Sequence, residues 1–427
     1  MKCTQTKKWI IVLILYLASI AQARVISQWR GRHRDGIYPA KNLLKQWPTS
    51  GPKMLWSFEG LGKGHGSVTL AHDKVYVTGM HEAVGFLYAF GADGDLLWKR
   101  PYGPEWTKNY PGTSTTATVV DNLLYLESGM GVVYCLDAKS GEPVWSVDLL
   151  AQFQAKNIQW GMAESLLIDG DHVICTPGGP KHNLVALNRF TGQTIWTSPG
   201  HGDRAAYCSP ILVHHNGTKL IVSMTSESVV GIDAKTGECY WRIPQHQMNK
   251  IHANTPVHID GKILCSSDYA REKEHGLVLI ELSEDGKRAT ECWRNQAFTN
   301  LIAALVVRDG HIYGSKWRKG EWYCINLKTG AIETVFKGLG DGVIIYADGL
   351  FYCYSEKGQM ALMDANPQAF KIISSFEVPL GTDQHWAHPV IQDGRLYLRH
   401  GDALMVYDID EGNRENGTKA MTQKNES

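Results

Sequence analysis

Short apolar runs separated by turn residues fill most of the chain after residue 50. Runs such as VVYCL (132–136) and LVAL (184–187) are too short for helices and are bounded by Gly, Asp and Asn, a pattern typical of β-strands. Between two such runs lies a pair of residues that tolerates positive φ, which predicts a tight hairpin. The predicted turns are Asp121-Asn122, Asp169-Gly170, Asn216-Gly217, Asp260-Gly261, Asp309-Gly310, Asp348-Gly349 and Asp393-Gly394. The pattern therefore predicts an all-β chain.

Tryptophans recur along the chain at a nearly constant spacing. Six of them, from Trp56 to Trp293, are about 42 to 52 residues apart, which is the length of four short strands with their turns. Each repeat therefore predicts one blade of a β-propeller. Eight blades are predicted, at 67–103, 113–149, 161–200, 205–245, 251–295, 300–340, 341–381 and 385–410.

The eighth predicted blade has three strands and ends without an outer strand. Near the start of the chain, Lys53–Phe58 has the pattern of an outer strand with no strands before it. Because closing the ring removes exposed sheet edges, we expect Lys53–Phe58 to complete the last blade. The predicted divisions are a signal peptide at 1–23, a leader segment at 24–52, an eight-bladed β-propeller at 53–410 and a disordered tail at 411–427.

The phrase DAKSGEPVW (137–145), which returns as DAKTGECYW (233–241), carries a family resemblance. It resembles the repeat of the pyrroloquinoline quinone (PQQ) β-propellers, a family that includes quinoprotein dehydrogenases and BamB-like proteins. The resemblance covers nearly all of residues 51–410 and implies that the tryptophans dock between neighbouring blades, where an indole fills the gap and its N–H finds a carbonyl. This docking role is expected for Trp56, Trp98, Trp145, Trp196, Trp241 and Trp293. The sixth blade departs from the pattern, with Thr334 at the Trp position.

The charge balance of the chain limits its possible binding partners, and its first 23 residues indicate its cellular location. Lys plus Arg and Asp plus Glu both number 43, so the chain lacks the basic excess of a nucleic-acid binder. Residues 1–23 have the basic, apolar and small-residue parts of a secretory signal, with cleavage predicted after Ala23. The apolar run is too short to span a bilayer. We therefore expect a periplasmic or secreted monomer without a membrane span.

The family resemblance also implies a cofactor that these residues do not match. A quinoprotein dehydrogenase holds PQQ between an aromatic floor and a disulfide of adjacent cysteines, and binds Ca²⁺ through oxygen ligands. No two of the nine cysteines are adjacent, and no set of Glu, Asn and Asp matches the calcium ligands. PQQ and Ca²⁺ thus rest on fold analogy alone, and no cofactor or metal is predicted. His385 and His388 would point to opposite faces of an extended segment, so they are not expected to share a metal.

Loops before the innermost strands carry aromatic and ionisable residues, and in a propeller these loops surround the central channel. Converging aromatic rings with a few polar groups are typical of a ligand pocket, although the same side chains would also plug a channel that binds nothing. No catalytic residue is assigned. The candidate binding residues are Glu105, Trp106, Tyr110, Trp160, Glu164, Asp203, Arg204, Tyr207, His252, Asp341, His385 and Trp386.

Three functions remain open from the sequence. The first is a binding or interaction module that takes a small molecule, a glycan or a protein on one face of the propeller, without bound quinone. The second is a quinone- or metal-dependent oxidoreductase with a non-standard site, and the third is a scaffold for protein assembly in the envelope. Since fold does not settle function, the sequence leaves enzymatic activity undecided, and the missing cofactor residues favour a protein that is not an enzyme.

Overall fold

The computed structural model describes residues 26–199 and 201–413. The predicted signal peptide and its cleavage site lie outside these residues, as does the predicted disordered tail beyond residue 413. Within the described part, no helix has both the length and the apolar character needed to cross a membrane. A short helix at Leu149–Gln152 begins at Asp148, whose side chain accepts a hydrogen bond from the N–H of Ala151.

The described chain contains eight sheets, which confirms the eight-bladed β-propeller, and the four strands of each blade pair antiparallel. Each blade has four strands of its own. In blades 1 to 7 these strands follow chain order from the channel outwards, whereas in blade 8 the outer strand comes from earlier in the chain. The strands of blades 1 to 4 are Thr69–Ala71, Lys74–His81, Val84–Gly91 and Leu96–Pro104; Thr118–Val120, Leu123–Glu127, Val132–Asp137 and Pro143–Asp148; Leu167–Asp169, His172–Cys175, Val185–Asn188 and Thr194–Thr197; Ile211–His215, Thr218–Met224, Ser228–Asp233 and Cys239–Pro244. The strands of blades 5 to 8 are Val257–Ile259, Lys262–Ser266, Leu277–Leu282 and Ala289–Asn295; Val306–Arg308, His311–Lys316, Glu321–Asn326 and Ile332–Lys337; Gly342–Ala347, Leu350–Ser355, Gln359–Asn366 and Ala369–Glu377; Val390–Gln392, Arg395–His400, Ala403–Asp408 and Lys53–Glu59.

The ring is closed by the N-terminal strand, as the sequence predicts. Lys53–Glu59 pairs antiparallel with Ala403–Asp408 and places Trp56 opposite Val406. The first strand of the propeller domain is therefore the outer strand of blade 8, and it covers an edge that would otherwise be open.

The predicted inner hairpin turns are confirmed in six blades and corrected in one. In blade 3, Asp169 is the last ladder residue and pairs with His172, so the turn is Gly170-Asp171. The predicted Asp169-Gly170 turn is wrong by one residue, because Asp residues lie on both sides of Gly170 and Asp169 pairs in the ladder while Gly170, with a φ of +58°, begins the turn.

The repeated phrase builds the outer hairpin of a blade. The Oδ1 atom of Asp137 accepts hydrogen bonds from the N–H groups of Lys139 and Ser140 and from the Ser140 hydroxyl, at 2.8–3.0 Å. These bonds lower the pKa of Asp137 and fix the turn before Gly141, whose φ is +74°. Asp233 makes the same three bonds in blade 4.

Indole groups connect neighbouring blades. Each of the six repeated tryptophans donates its indole N–H to a main-chain carbonyl of the next blade, over 2.8–3.3 Å. At the Trp position of blade 6, the Thr334 hydroxyl donates to the carbonyl of Pro367 in blade 7. In blade 7 the corresponding position is Ser374, beside the β-bulge, and its hydroxyl oxygen accepts the backbone N–H of Trp47 from the leader. The Trp47 ring packs against Phe376.

Residues 26–38 of the leader lie inside the central channel. Ile26–Ser27 pairs with the innermost strand of blade 2, and Ile37–Tyr38 pairs with that of blade 7. Between these two short strands, the side chains of Arg30 and Arg34 are buried, with 2% and 1% exposure. The sequence predicts a leader at 24–52 but no position for it in the fold. Residues 26–38 fill the channel below the loops that precede the innermost strands.

Candidate functional site

A cavity of about 380 Å³ lies at the mouth of the channel, above the leader. Its walls come from the loops before the innermost strands and from the loops between the second and third strands, which meet at the same end of the ring because the strands are antiparallel. Two of the wall residues, Tyr110 and Tyr269, are about half exposed at the rim. The aromatic residues of the wall are Trp29, Tyr110, Trp160, Tyr207, Tyr269, Trp317 and Trp386.

The aromatic rings of the wall support one another. The centroid of the Trp386 ring lies 5.1 Å from those of Tyr110 and His65. Across the cavity, the Tyr207 hydroxyl oxygen accepts the backbone N–H of Trp160 at 3.1 Å. These contacts restrict the rings before any ligand is present.

Three hydroxyl groups at the floor share one geometry. Thr116 Oγ1 accepts the N–H of Ser67, Ser165 Oγ accepts the N–H of Thr116, and Ser209 Oγ accepts the N–H of Ser165, at 2.9–3.1 Å. These bonds connect the innermost strands of blades 1 to 4. None of the three hydroxyls donates to another described protein atom, so each retains an O–H for a ligand or for water.

Two arginines of the leader hold the floor from below. Arg34 donates to the carbonyl groups of Ser165, Leu166 and Pro210 at 2.6–2.9 Å. Arg30 donates to the carbonyl of Leu305 at 2.8 Å, and its Nη1 lies 3.4 Å from His388 Nδ1. Burial lowers the pKa of both guanidinium groups to about 10, so both are cationic at neutral pH.

His65 brings an unpartnered imidazole to the wall. Neither ring nitrogen has a hydrogen-bond partner among the described residues. Burial, together with the charge of Arg399, lowers the pKa of His65 to about 4, so the ring is neutral and offers one donor and one acceptor. Arg399 donates to the carbonyl of Gly66 at 2.9 Å, and its Nη2 atom has no partner among the described residues.

The sequence of the chain matches a known protein family. The family model described as outer membrane protein assembly factor BamB, built on PQQ repeats, matches residues 83–335, which is more than half of the chain. The chain belongs to the BamB family of PQQ-repeat propellers. The recognition made from the repeated phrase is thereby confirmed.

Curated relatives resemble parts of this BamB-family chain. BamB of Kangiella koreensis is 26% identical over 208 residues, which are 48% of this chain and 48% of that protein. A quinoprotein ethanol dehydrogenase of Pseudomonas putida is 24% identical over 34% of this chain and 25% of its own length. The chain thus spans about half the length, or less, of these two relatives.

Solved structures agree on the fold. BamB from Moraxella catarrhalis superposes with a TM-score of 0.57 at 16% identity, covering 83% of this chain and 96% of that one. The quinohemoprotein alcohol dehydrogenase of Comamonas testosteroni gives 0.62 at 11% identity, covering 88% and 79%. At these identities the likeness shows the propeller fold and nothing about activity.

The structure brings four of the twelve candidate residues of this BamB-family propeller into the cavity wall. The four are Tyr110, Trp160, Tyr207 and Trp386. Arg204 lies outside the wall. The binding roles of all twelve residues remain predictions.

Glu105 and Trp106 lie behind the cavity wall. The Glu105 carboxylate accepts hydrogen bonds from the Tyr102 hydroxyl at 2.5 Å and from the Gly129 N–H at 2.7 Å. Burial raises its pKa to about 7. Trp106 is 7% exposed and donates its indole N–H to the carbonyl of Asn109 at 3.1 Å.

Glu164 is buried beside the floor, with 3% exposure. Burial raises its pKa to about 8, and the nearby charge of Arg34 opposes this shift. Glu127, in the second strand of blade 2, is also fully buried, and burial and the proximity of Glu164 raise its pKa well above the usual value. Burial thus favours the neutral form of both carboxyl groups.

Asp203 and Asp341 have partners inside the fold. Asp203 is 4% exposed and accepts hydrogen bonds from the Thr225 hydroxyl and from Arg242 Nη2. The Asp341 carboxylate accepts the backbone N–H of Gly320. Both acids therefore support loops around the channel.

The candidate histidines lie at separate places. His252 is 1% exposed, and burial lowers its pKa to about 3. His385 Nδ1 is 2.5 Å from the Tyr354 hydroxyl, and its ring stacks on His400 at 3.6 Å. His388 contacts Arg30 instead, so His385 and His388 form no pair.

Sequence reasoning missed several residues of the wall. Asp268, Tyr269, Trp317 and Arg318 lie in loops between second and third strands, and the aromatic residues in SDYAREKEHG and KWRKG were signals for them. Trp29 carried no such signal, because its position depends on where the leader enters the channel.

The residues present do not fit the PQQ–calcium arrangement of the dehydrogenases. All eight described cysteines are free, and none is adjacent to another in sequence, so the disulfide that covers the quinone has no counterpart. Among residues 26–199 and 201–413, no group of three or more His, Cys, Asp or Glu side chains is arranged to hold a metal ion.

Proposed function

We propose that this BamB-family propeller is a periplasmic or secreted binding module that takes a ligand at the mouth of its channel, without a bound quinone. The observation that carries the proposal is the convergence of seven aromatic side chains on one cavity of about 380 Å³. This volume lies in the range of small-molecule sites, which combine apolar walls with a few placed polar groups. The three hydroxyl groups of the floor supply such polar groups.

Contacts within the protein support part of the wall, which favours binding. Trp29 is followed by Arg30, whose bonds to Leu305 and His388 tie the leader to blades 6 and 8. Because the floor and the rings are held in place before binding, little side-chain entropy is lost when a ligand enters.

A thermal-shift screen of saccharides, aromatic acids and other metabolites tests the proposal. We expect at least one class to raise the melting temperature by about 3 °C at concentrations well above its Kd. Trp386→Ala, in the wall, should abolish the shift. Phe190→Ala is the matched control, because Phe190 is 46% exposed and lies outside the wall. A shift that survives Trp386→Ala would place the site elsewhere.

The proposed absence of quinone has its own test. Purified protein is mixed with PQQ and Ca²⁺ and passed through gel filtration. We expect no quinone absorbance in the protein peak and no dye-linked alcohol oxidation. Retained quinone with dehydrogenase activity would instead support the oxidoreductase.

A second candidate is an envelope scaffold for protein assembly, which the family match over residues 83–335 favours. The two candidates differ in the consequence of losing the protein. A scaffold predicts that deletion in the host lowers the amount of assembled outer-membrane protein, and that a Trp386→Ala variant restores it. A channel-mouth binding module predicts that deletion leaves these amounts unchanged.

A further inference from the structure

We propose that the ligand of the channel mouth carries a carboxylate on a ring, with the carboxylate directed at the floor and the ring held by the aromatic wall. This inference rests on the proposed function and specifies its ligand. The observation behind it is a set of three buried arginines that contact the cavity from behind and form no ion pair with a described carboxylate.

Each of the three guanidinium groups contacts a residue of the cavity lining. Arg30 contacts His388, Arg34 donates to the carbonyl of Ser165, and Arg399 donates to the carbonyl of Gly66. All three arginines are at most 2% exposed, and their protein hydrogen-bond partners are neutral groups. In a region of low dielectric, uncompensated positive charge attracts an anion more strongly than it would in water.

The described acids nearest to the three arginines form no ion pair with them. Asp35 and Asp402 attract the charges of Arg30 and Arg399 from a longer distance. Glu164, beside Arg34, is buried, and burial raises its pKa to about 8, so its carboxyl group is mostly protonated at neutral pH. Among the described residues that line the cavity, Asp268 is the one carboxylate, and Arg318 balances it. Four arginines, Arg30, Arg34, Arg318 and Arg399, therefore stand against three aspartates around the cavity, Asp35, Asp268 and Asp402.

The groups that face the cavity are also suited to an anion. The hydroxyl oxygens of Thr116, Ser165 and Ser209 each accept a backbone N–H, and none of the three O–H groups donates to a described protein atom, so each retains a donor. His65 is neutral and both of its ring nitrogens are unpartnered, so one tautomer adds a further N–H donor. Carboxylate oxygens accept several such bonds at once, and bonds to an ionised acceptor are the stronger kind.

The ring is inferred from the wall. Aromatic side chains surround the floor, and flat ligand surfaces stack well on indole and phenol rings. Aromatic acids and acidic sugars share this combination of a ring and a carboxylate. The experiment therefore includes both sources.

The test compares pairs of probes that differ only in charge. The dissociation constants of 2-naphthoate and 2-naphthamide are measured by tryptophan fluorescence and calorimetry at pH 7, and those of glucuronate and glucose in the same way. We expect the acid of at least one pair to bind about tenfold or more tightly than its neutral partner. A preference for the acid in the naphthyl pair would identify the ligand as an aromatic acid, and a preference in the sugar pair would identify it as an acidic sugar.

Two variants test the origin of the preference. Arg30→Gln removes a buried charge behind the cavity and should lower the acid-to-neutral ratio by about threefold to tenfold, with little change for the neutral probe. Arg189→Gln is the matched control, because Arg189 is equally buried, is ion-paired with Asp121 and lies outside the cavity. If Arg30→Gln does not fold, Arg318→Gln replaces it, because Arg318 is exposed at the rim. This variant should lower the acid-to-neutral binding ratio by about twofold.

The outcomes separate the two proposals. Equal binding of acid and neutral probes, sensitive to Trp386→Ala, would overturn the charge inference and leave the channel-mouth binding function in place. A failure of every ring compound to bind, charged or neutral, would overturn the binding function itself. A preference for the acid that persists in both Arg30→Gln and Arg318→Gln would show that the arginines are not its cause.

Discussion

The indole Nε1 of Trp145 donates to the carbonyl oxygen of Arg189 at 2.9 Å, and the same indole ring occupies the space beside Gly192 in that next blade. A Cβ atom on Gly192 would meet the ring at 2.9 Å, and the φ of Gly192 is +72°. The glycine of the repeated phrase is therefore required both by its own turn and by the tryptophan of the preceding blade. Gly141 has the same relation to Trp98.

This relationship predicts the effect of a glycine substitution. Gly192→Ala should lower the free energy of unfolding by about 2–4 kcal/mol, because strain at positive φ adds to a clash with the indole. Gly217→Ala is the matched control, since Gly217 has a φ of +85° but open space around its Cβ position. It should cost only the strain, about 1 kcal/mol. Urea denaturation measures both, and equal losses would contradict the role given to Trp145.

Ring closure predicts a loss of cooperativity. Deleting 53–59 removes the strand that pairs with Ala403–Asp408 and exposes the edge of blade 8. We expect the sharp thermal transition to be replaced by a broad one, since a propeller with an open edge loses contacts at both ends of the ring. Calorimetry measures the transition, and a melt as sharp as that of the full chain would contradict the closure.

The blades could be predicted from sequence because their determinants are local. Asp137, Ser140 and Gly141 form a turn within five residues, and the Trp period repeats it around the ring. The turn of blade 3 was misplaced by one residue because Asp169 and Asp171 flank Gly170, and local sequence does not choose between them.

The floor of the cavity could not be predicted in this way. Arg34 reaches Leu166 across 132 positions and Arg30 reaches Leu305 across 275, and no local pattern encodes such pairs. Tyr110, Trp160, Tyr207 and Trp386 lie in the wall, and the position of their loops follows from the propeller order alone. The remaining aromatic residues of the wall come from the leader (Trp29) or from loops between second and third strands (Tyr269 and Trp317).

The contacts of the leader predict that Arg34 is needed for the stability of the fold and that lysine cannot replace it. Arg34→Lys keeps the charge but cannot reach the carbonyls of Ser165, Leu166 and Pro210 together. Leaving buried carbonyls unpaired should lower the free energy of unfolding by about 2–4 kcal/mol. Arg100→Lys, at an exposed ion pair with Glu142, should change it by less than about 0.5 kcal/mol. Similar small effects in both variants would show that the leader is not anchored in the channel.

The buried carboxyl group of Glu164 predicts a dependence of stability on pH. Its pKa is raised from the usual 4.5 to about 8 by burial, so the folded state keeps a proton that the unfolded chain loses. Stability from this group is fully present below about pH 4.5 and is lost as the pH rises towards 8. Glu164→Gln cannot ionise, so at pH 9 it should be more stable than the parent protein, by an amount on the order of 3 kcal/mol.

Melting temperatures at pH 5, 7 and 9 check this dependence. The difference between Glu164→Gln and the parent should be small at pH 5 and grow with pH. Glu142→Gln is the control, because Glu142 is exposed. A constant difference across the three pH values would contradict the raised pKa.

The most direct measurement is a crystal structure of the protein purified from its own host. The account predicts ordered ligand density in the cavity between Trp29 and Trp386, with a ring against the aromatic wall and an acidic group near Ser165 and His65. The protein should be purified without denaturant, so that a bound ligand is retained. A cavity filled by its own side chains or by water alone would contradict the proposal that this propeller binds its ligand at the mouth of the channel.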